Sequence, residues 1–251
     1  MIPLHDPDMQ LHTKPYVVYA LVALNVLVFL YMLSLAALEE TAFVLRFGLI
    51  PHELTGGTPF TTVRLLTTQG PRLVDITSPV PTWMTVFTSM FLHGGFMHLA
   101  GNMLFLWVFG DNIENRLGRT RFIAFYLGAG AAAALAQVAV NADSQIPMIG
   151  ASGAVAGVLG AYLVLYPSSR INTLLLFGFF IFHRRIRALY LIGFWAGYQV
   201  FLGLGSLAAP DAGGVAYFAH LGGLAAGLAL GSFSRLRAGW HVTPRQYRPR
   251  E

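Results

Sequence analysis

Six apolar runs separated by polar links restrict the fold of this chain more than any other feature. Each run is close to the ~20 residues that an α-helix needs to cross the hydrocarbon core of a bilayer. We predict helices over Tyr16–Leu38, Gly94–Gly110, Phe122–Val140, Met148–Tyr166, Leu189–Leu204 and Val215–Phe233. The predicted fold class is therefore an all-α membrane protein, built as a bundle of six transmembrane helices.

Composition supports a membrane location independently of any motif. Apolar residues make up 55% of the chain and charged residues only 11%, proportions far outside those of soluble domains. We divide the chain into an N-terminal tail (1–15), a six-helix membrane domain (16–233) that includes an external loop (39–93), and a basic C-terminal tail (234–251).

The Lys and Arg residues are distributed unequally between the two faces that six crossings would create. Of the 16 such residues, Arg46, Arg64 and Arg72 alone fall on the face with the external loop. By the positive-inside rule, both termini are predicted to be cytoplasmic in a multi-pass protein of the cell (inner) membrane. The same asymmetry accounts for the net charge of +5. Membrane lipids are therefore expected partners, and nucleic acid is not.

Four polar residues lie at one depth in the three predicted helices that run from the outside to the inside. They are His98 and Asn102 in the second helix, Ser152 in the fourth and His220 in the sixth. At 1.5 Å per residue, all four lie roughly 6–12 Å below the outer helix ends. Because polar and ionisable side chains at this depth usually serve a function, the four residues form a candidate site.

Small residues predict that the helices carrying Ser152 and His220 pack closely. Helical spacing aligns Ser152, Ala156 and Gly160 on one helix, and His220, Gly223, Gly227 and Gly231 on the other. Such stripes allow the backbones of membrane helices to approach each other. An ordinary packing motif, in which the serine only bonds a carbonyl one turn back, is the alternative interpretation.

Ser152 and His220 are the candidate nucleophile and general base. A serine hydroxyl is a poor nucleophile until a base takes its proton, and a neutral imidazole is well matched to that task near neutral pH. Every Asp and Glu falls in a predicted tail or link. We therefore expect a Ser–His dyad without an acidic third member.

Three groups are predicted to stabilise the oxyanion that forms when the serine attacks a carbonyl. The Asn102 amide, one ring N–H of His98 and the backbone N–H of Ser152 are hydrogen-bond donors at the same depth. The backbone N–H qualifies because it lies at a glycine-flanked helix start, where the first amides have no partner within the helix.

Other intramembrane chemistries fit this sequence less well. A zinc protease would carry two histidines four residues apart with a glutamate beside the first, whereas His93 and His98 are five apart without one. The chain has no cysteine, so thiolate metal sites are excluded. Neither a cofactor nor a metal is expected. The alternative that stays open is a non-enzymatic transporter or substrate-binding chaperone whose polar residues line a path.

Three motifs together resemble those of the rhomboid intramembrane serine proteases. They are His93–Asn102 (HGGFMHLAGN), Gly150–Gly153 (GASG) and Ala219–Gly223 (AHLGG), followed by Gly227. The resemblance extends from about Phe47 to Gly231, which leaves only the first helix and the tails outside it.

This resemblance implies both a fold and an activity. The implied protein is a six-helix serine endopeptidase, a hydrolase that cleaves transmembrane segments with helix-weakening residues near the outer side of the bilayer. Ser152 would be the nucleophile, His220 the base, and His98 and Asn102 with the Ser152 amide the oxyanion hole. The residues implied to be structural near the site are His93, Gly150, Gly153, Gly223 and Gly227. The aromatic residues of helix five fit a surface that faces lipid, and the resemblance adds the alternative that this helix is the gate through which a substrate enters.

The sequence departs from the family pattern at two places. Ala156 occupies a position where rhomboids often carry an aromatic ring against the catalytic histidine, so another group, such as Tyr217 or Phe218, is expected to fill that space. Met84 and Thr85 stand where many members have a Trp-Arg pair in the external loop.

Two further segments carry expectations of their own. The segment Leu174–Arg187 is apolar and then basic, and we predict a helix or loop that lies at the inner interface, or else an extension of helix five. Glu114 and Arg116 are expected in a solvated inner loop, with a stabilising link to a neighbouring helix as the alternative.

Overall fold

The computed structural model describes residues 1–8, 13–67, 70–177, 180–208 and 214–237. Its helices are α1 (Tyr16–Ser34), α2 (Ala37–Phe47), α3 (Pro51–Leu54), α4 (Thr85–Thr88), α5 (Phe96–Leu117), α6 (Arg119–Val140), α7 (Ser152–Leu165), α8 (Ala188–Ser206) and α9 (Tyr217–Arg237). Its strands are β1 (Ile2–His5), β2 (Thr62–Thr67), β3 (Gly70–Asp75), β4 (Arg170–Phe177) and β5 (Phe180–Arg187). Most of the predicted C-terminal tail, with Arg245, Arg248 and Arg250, lies outside the described residues.

Each of the six predicted apolar runs contains one long helix: α1, α5, α6, α7, α8 and α9. Within the described ranges, α1, α6 and α8 are long and apolar enough to cross a membrane, and α7 is apolar but has only 14 residues. α5 and α9 have 22 and 21 residues but include more polar side chains. The chain is thus mostly helical, with three candidate membrane spans by length and composition.

Helix α7 forms the centre of the fold. It packs against α5, α6 and α9, and every residue from Gly153 to Tyr162 is buried. A helix that is apolar on all sides fits such an environment, because it has no face that requires water. The central position makes α7 a fixed support for Ser152, the residue that begins it.

The backbones of α7 and α9 are in direct contact. A Cβ atom added at Gly223 would lie 2.0 Å from the carbonyl oxygen of Gly153, and one added at Gly227 would lie 1.9 Å from that of Gly157. No side chain larger than hydrogen fits at either position. The close helix packing that the small-residue spacing predicts is therefore present.

Besides β1, strands in two further segments show that the prediction of an all-α protein is wrong. β4 and β5 form an antiparallel hairpin where a helix or loop is predicted, and β2 and β3 form a second hairpin inside the predicted external loop. Short apolar runs do not distinguish a strand from a helix by hydropathy. In β4 and β5, cross-strand pairs such as Leu175 with Phe182 and Leu176 with Ile181 favour the strand.

The first eight residues, part of the predicted N-terminal tail, are attached to the rest of the protein. β1 pairs with β4, so the sheet has the order β1-β4-β5. The carboxylate of Asp6 accepts hydrogen bonds from the Tyr162 hydroxyl of α7 and, at 2.9 Å, from the Ser169 hydroxyl. This contact fastens β1 to the end of α7 that is remote from Ser152.

Glu114 lies in α5 and not in a solvated loop, because the helix continues past the predicted end at Gly110 to Leu117. Only 2% of the glutamate is exposed. Its carboxylate accepts the backbone N–H groups of Val17 (3.1 Å) and Val18 (2.8 Å), which have no partner within the first turn of α1. The link to a neighbouring helix, our alternative, is thus correct, and the solvated loop is wrong.

The docking of β1 should weaken as the pH rises. Burial, and to a lesser extent the nearby Asp8, raise the pKa of Asp6 above its ordinary value of 3.8. A carboxyl whose pKa is raised in the folded state favours the protonated form there, so its stabilising contribution is complete below about pH 4 and is lost as the pH rises through the raised pKa. Amide hydrogen exchange of Ile2, Leu4 and His5 should therefore show stronger protection at about pH 4 than at about pH 8.

Asp6→Asn should remove this pH dependence, because the amide does not titrate. Asp143→Asn is the matched control, since Asp143 is exposed and lies in the link between α6 and α7. Equal protection at both pH values in the wild-type protein would contradict the prediction.

Candidate active site

A cavity of about 1750 Å³ lies beside the first turn of α7. Its walls come from α5, α7, α8, α9 and the segment between α6 and α7. The polar residues that the sequence singles out, His98, Asn102, Ser152 and His220, all line this one cavity. Most of the remaining lining is apolar, which suits an apolar ligand that meets a few polar groups.

Ser152 and His220 are hydrogen-bonded to each other across the α7–α9 contact. The Ser152 Oγ lies 2.8 Å from the Nε2 of His220. Each residue lies in the first turn of its helix, and the backbone contact between the two helices holds these turns side by side. A hydroxyl that donates to an imidazole at this distance is in the geometry required for proton transfer.

Two glycines allow the chain to enter α7 in this position. Gly150 has a φ of +117°, a conformation that L side chains rarely adopt. A Cβ at Gly153 would lie 2.5 Å from the Cβ of Ala133 in α6, so this position also needs glycine. The GASG sequence therefore places the serine by backbone geometry on one side and by close packing on the other.

His98 and Asn102 lie over the backbone at Gly150. A Cβ added at Gly150 would lie 2.6 Å from the Nε2 of His98 and 3.7 Å from the Nδ2 of Asn102. Both nitrogens therefore approach the chain two residues before Ser152. Since the two residues are one turn apart on α5, a single helix face presents both side chains.

His93 lies behind this pair and holds Asn102. The Nδ2 of Asn102 donates to the Nε2 of His93 at 3.0 Å, and the His93 ring is fully buried and lies 5.0 Å from the His98 ring. Burial, followed by the proximity of His98, lowers the pKa of His93 to about 4, so its ring is neutral near pH 7 and can accept. An amide NH2 has two hydrogens, which leaves one N–H of Asn102 for a ligand.

His220 has a partner that the sequence motifs do not predict. The Nδ1 of His220 lies 2.8 Å from the Oε1 of Gln199, which comes from α8 and is only 7% exposed. Gln199 is the only amide side chain in α8. That isolated polar group in an apolar run was the available signal.

The ring near His220 also comes from α8. The Trp195 ring centroid lies 5.9 Å from that of His220, with the planes inclined by 39°. Tyr217 and Phe218, the predicted candidates, instead face Gly203 of α8. Ala156 is fully buried, and its Cβ would be 3.3 Å from a Cβ at Gly223. No space for a ring remains there, because α9 occupies it.

A metal site is not evident in the part of the chain that the structure describes. There, no group of three or more His, Asp or Glu side chains lies together in a metal-binding arrangement. The cavity offers hydroxyl, imidazole and amide groups, a donor set suited to nucleophilic attack on a carbonyl and to the binding of an oxyanion.

Comparison with known proteins finds sequence similarity over the part of the chain that carries these polar residues. The chain matches the Rhomboid domain family over residues 80–237. It is 31% identical over 157 residues to "Rhomboid protease GluP" of Bacillus subtilis, and this alignment covers 62% of the present chain and 26% of that protein. It is 34% identical over 96 residues to "Rhomboid protein 1, mitochondrial" of Saccharomyces cerevisiae, in an alignment that covers 37% of the present chain and 28% of that protein. For "Putative rhomboid protease YdcA" of Bacillus subtilis, the identity is 34% over 83 residues, 33% of this chain and 41% of the relative.

The shared region contains every polar side chain assigned to the candidate site. The match over residues 80–237 includes α5, α6, α7, α8 and α9, and with them His93, His98, Asn102, Ser152 and His220. The aligned parts span from 26% to 41% of the length of the three relatives. Because the family match covers more than half of the 251 residues, this chain belongs to the rhomboid family.

Proposed function

We propose that this chain is an intramembrane serine endopeptidase that uses Ser152 and His220 as a catalytic dyad. The observation that carries the proposal is the 2.8 Å contact between the Ser152 Oγ and the His220 Nε2 inside a largely apolar cavity. Relatives named as rhomboid proteases support the same activity. The proposed function is thus hydrolysis of a substrate peptide bond at a site that lies between the membrane-embedded helices of this protein.

The dyad chemistry proceeds through a covalent intermediate. The Ser152 Oγ attacks the scissile carbonyl carbon while the Nε2 of His220 takes the hydroxyl proton. The resulting imidazolium then gives this proton to the leaving amine as the C–N bond breaks. Water attacks the acyl-enzyme in the second half-reaction, with His220 again as base, and this step releases the acid and restores the serine.

The oxyanion of each tetrahedral intermediate is assigned to three donors. These are the Ser152 backbone N–H, an imidazole N–H of His98 and the N–H of Asn102 that does not face His93. The His93 ring keeps the Asn102 amide oriented before the substrate arrives. Donors fixed in advance in a site with little water stabilise developing charge without reorganisation.

The proposed substrates are transmembrane segments of other membrane proteins. We assign six crossings to α1 and α5–α9, with both termini on the cytoplasmic side of the cell membrane and the dyad near the outer face, in agreement with the positions of the cations. α5 and α8 each form part of the cavity wall, and α8 exposes aromatic rings such as Phe194 (64%) and Phe201 (72%). A substrate segment would enter from the lipid between these two helices.

A fluorophosphonate probe tests the proposed activity directly. The full chain in detergent should be labelled at Ser152, because only a serine with an activated hydroxyl attacks the phosphorus atom at an appreciable rate. Ser152→Ala should abolish labelling. Ser144→Ala is the matched control, since Ser144 lines the same cavity and should not affect the reaction. A wild-type protein that is folded and is not labelled would favour the non-enzymatic transporter or chaperone.

A further inference from the structure

α8 presents two side chains to the His220 ring. Trp195 and Gln199 are four residues apart and therefore lie on one face of α8. The Gln199 Oε1 is 2.8 Å from the Nδ1 of His220, and the Trp195 ring is 5.9 Å away. α7 contributes the nucleophile and α9 the imidazole, so a third helix supplies the groups behind that imidazole.

The contact with Gln199 determines which ring nitrogen of His220 carries the proton. An amide oxygen only accepts hydrogen bonds, so the Nδ1 must be the protonated nitrogen of the neutral ring. The Nε2 then keeps its lone pair, which faces the Ser152 hydroxyl at 2.8 Å. In the opposite tautomer, the Nε2 would carry a hydrogen and could not take the proton of the serine.

Burial makes this hydrogen bond more than a surface contact. Gln199 is only 7% exposed, and a buried amide without a partner is costly, so the pairing with His220 is strongly favoured over a detached side chain. Among the described residues, no carboxylate contacts the Nδ1 of His220. The amide oxygen of Gln199 occupies the position that a carboxylate holds in a Ser-His-Asp triad.

We propose that Gln199 is a positioning residue that fixes the tautomer and the orientation of His220. In this arrangement the amide oxygen holds the Nδ1–H in the resting state and stabilises the imidazolium that forms when the ring accepts the serine proton. The inference rests on the proposed hydrolytic function. It adds a third group behind the dyad, so that Ser152, His220 and Gln199, each from a different helix, form one line of hydrogen bonds.

Labelling kinetics with a fluorophosphonate probe can separate positioning from packing. Varying the probe concentration gives the dissociation constant of the reversible complex and the rate constant of the chemical step. Gln199→Met keeps the length of the side chain and removes the amide. It should lower the rate constant by about 10- to 100-fold, the range for loss of a hydrogen-bond partner that orients a metal-bound histidine, and leave the dissociation constant unchanged.

Gln199→Glu should restore most of the rate, since a carboxyl oxygen accepts from the Nδ1 in either protonation state. Gln137→Met in α6 is the matched control. The Oε1 of Gln137 accepts the backbone N–H groups of Phe218 (3.1 Å) and Ala219 (3.3 Å), so this change should lower the melting temperature instead.

The outcomes distinguish this inference from the proposed function. Labelling of the wild-type protein that disappears in Ser152→Ala supports the activity alone. If that labelling is present, a wild-type rate constant in Gln199→Met overturns the role of Gln199. A reduced rate that Gln199→Glu does not restore, together with a lower melting temperature, also overturns it and assigns Gln199 to the packing of α8 against α9.

Discussion

Ser152→Ala, His220→Ala and the double variant should all lose proteolysis to the same background rate. Within a serine–base unit, either single change costs nearly as much as both, on the order of 10⁶-fold. The physical reason is the 2.8 Å Oγ–Nε2 contact, because neither group has a catalytic use without the other. Cleavage of a transmembrane reporter protein in reconstituted vesicles measures the three rates.

Thermal unfolding provides the control for the three variants. Both side chains lie at the cavity, so truncation leaves the α7–α9 contact intact and the melting temperature should change little. Independent losses that multiply in the double variant would show that the two residues act separately. A variant that fails to insert would assign its residue to packing.

Gly227→Ala should destabilise the protein severely. Its new Cβ would lie 1.9 Å from the carbonyl oxygen of Gly157, a backbone atom in the central helix that no rotamer change can move away. Overpacking of a core usually costs about 1–3 kcal/mol, and we expect the upper end of that range or more because two backbones must separate. The melting temperature in detergent and the yield of inserted protein measure the effect.

Gly197→Ala in α8 is the matched control for this substitution. A Cβ there meets no heavy atom within 4 Å, so the same chemical change should be tolerated. Because α7 and α9 also carry the reacting pair, any Gly227→Ala protein that folds should be labelled more slowly at Ser152. Wild-type stability in Gly227→Ala would mean that the helices are farther apart than the structure places them.

Much of the architecture could be predicted because hydropathy and small-residue spacing depend on neighbouring positions in the sequence. The six apolar runs identify the six long helices, and the spacing of Gly223 and Gly227 predicts the contact with α7. The clustering of Ser152, His220 and His98 follows from equal depth in helices of the same direction. Each of these inferences needs only local periodicity and a fixed rise per residue.

The features that could not be predicted depend on contacts between distant segments. β4 pairs with both β5 and β1. Hydropathy within a short run does not reveal pairing of this kind. The apolar run ends at Gly110, so the sequence predicts Glu114 in a loop, whereas the first turn of α1 provides its carboxylate with two buried donors. Gln199 is an isolated polar residue in an apolar helix. Whether its side chain faces His220 or lipid depends on the rotation of α8 about its axis.

The contact between the backbones of α7 and α9 has a consequence for how the sequence can vary. Where side chains separate two helices, each change of side-chain volume alters the distance between them. At Gly223 and Gly227 the separation is set by the radii of main-chain atoms, which no substitution elsewhere can alter. Residues on the outer faces of these two helices can therefore diverge during evolution while the distance between Ser152 and His220 stays constant.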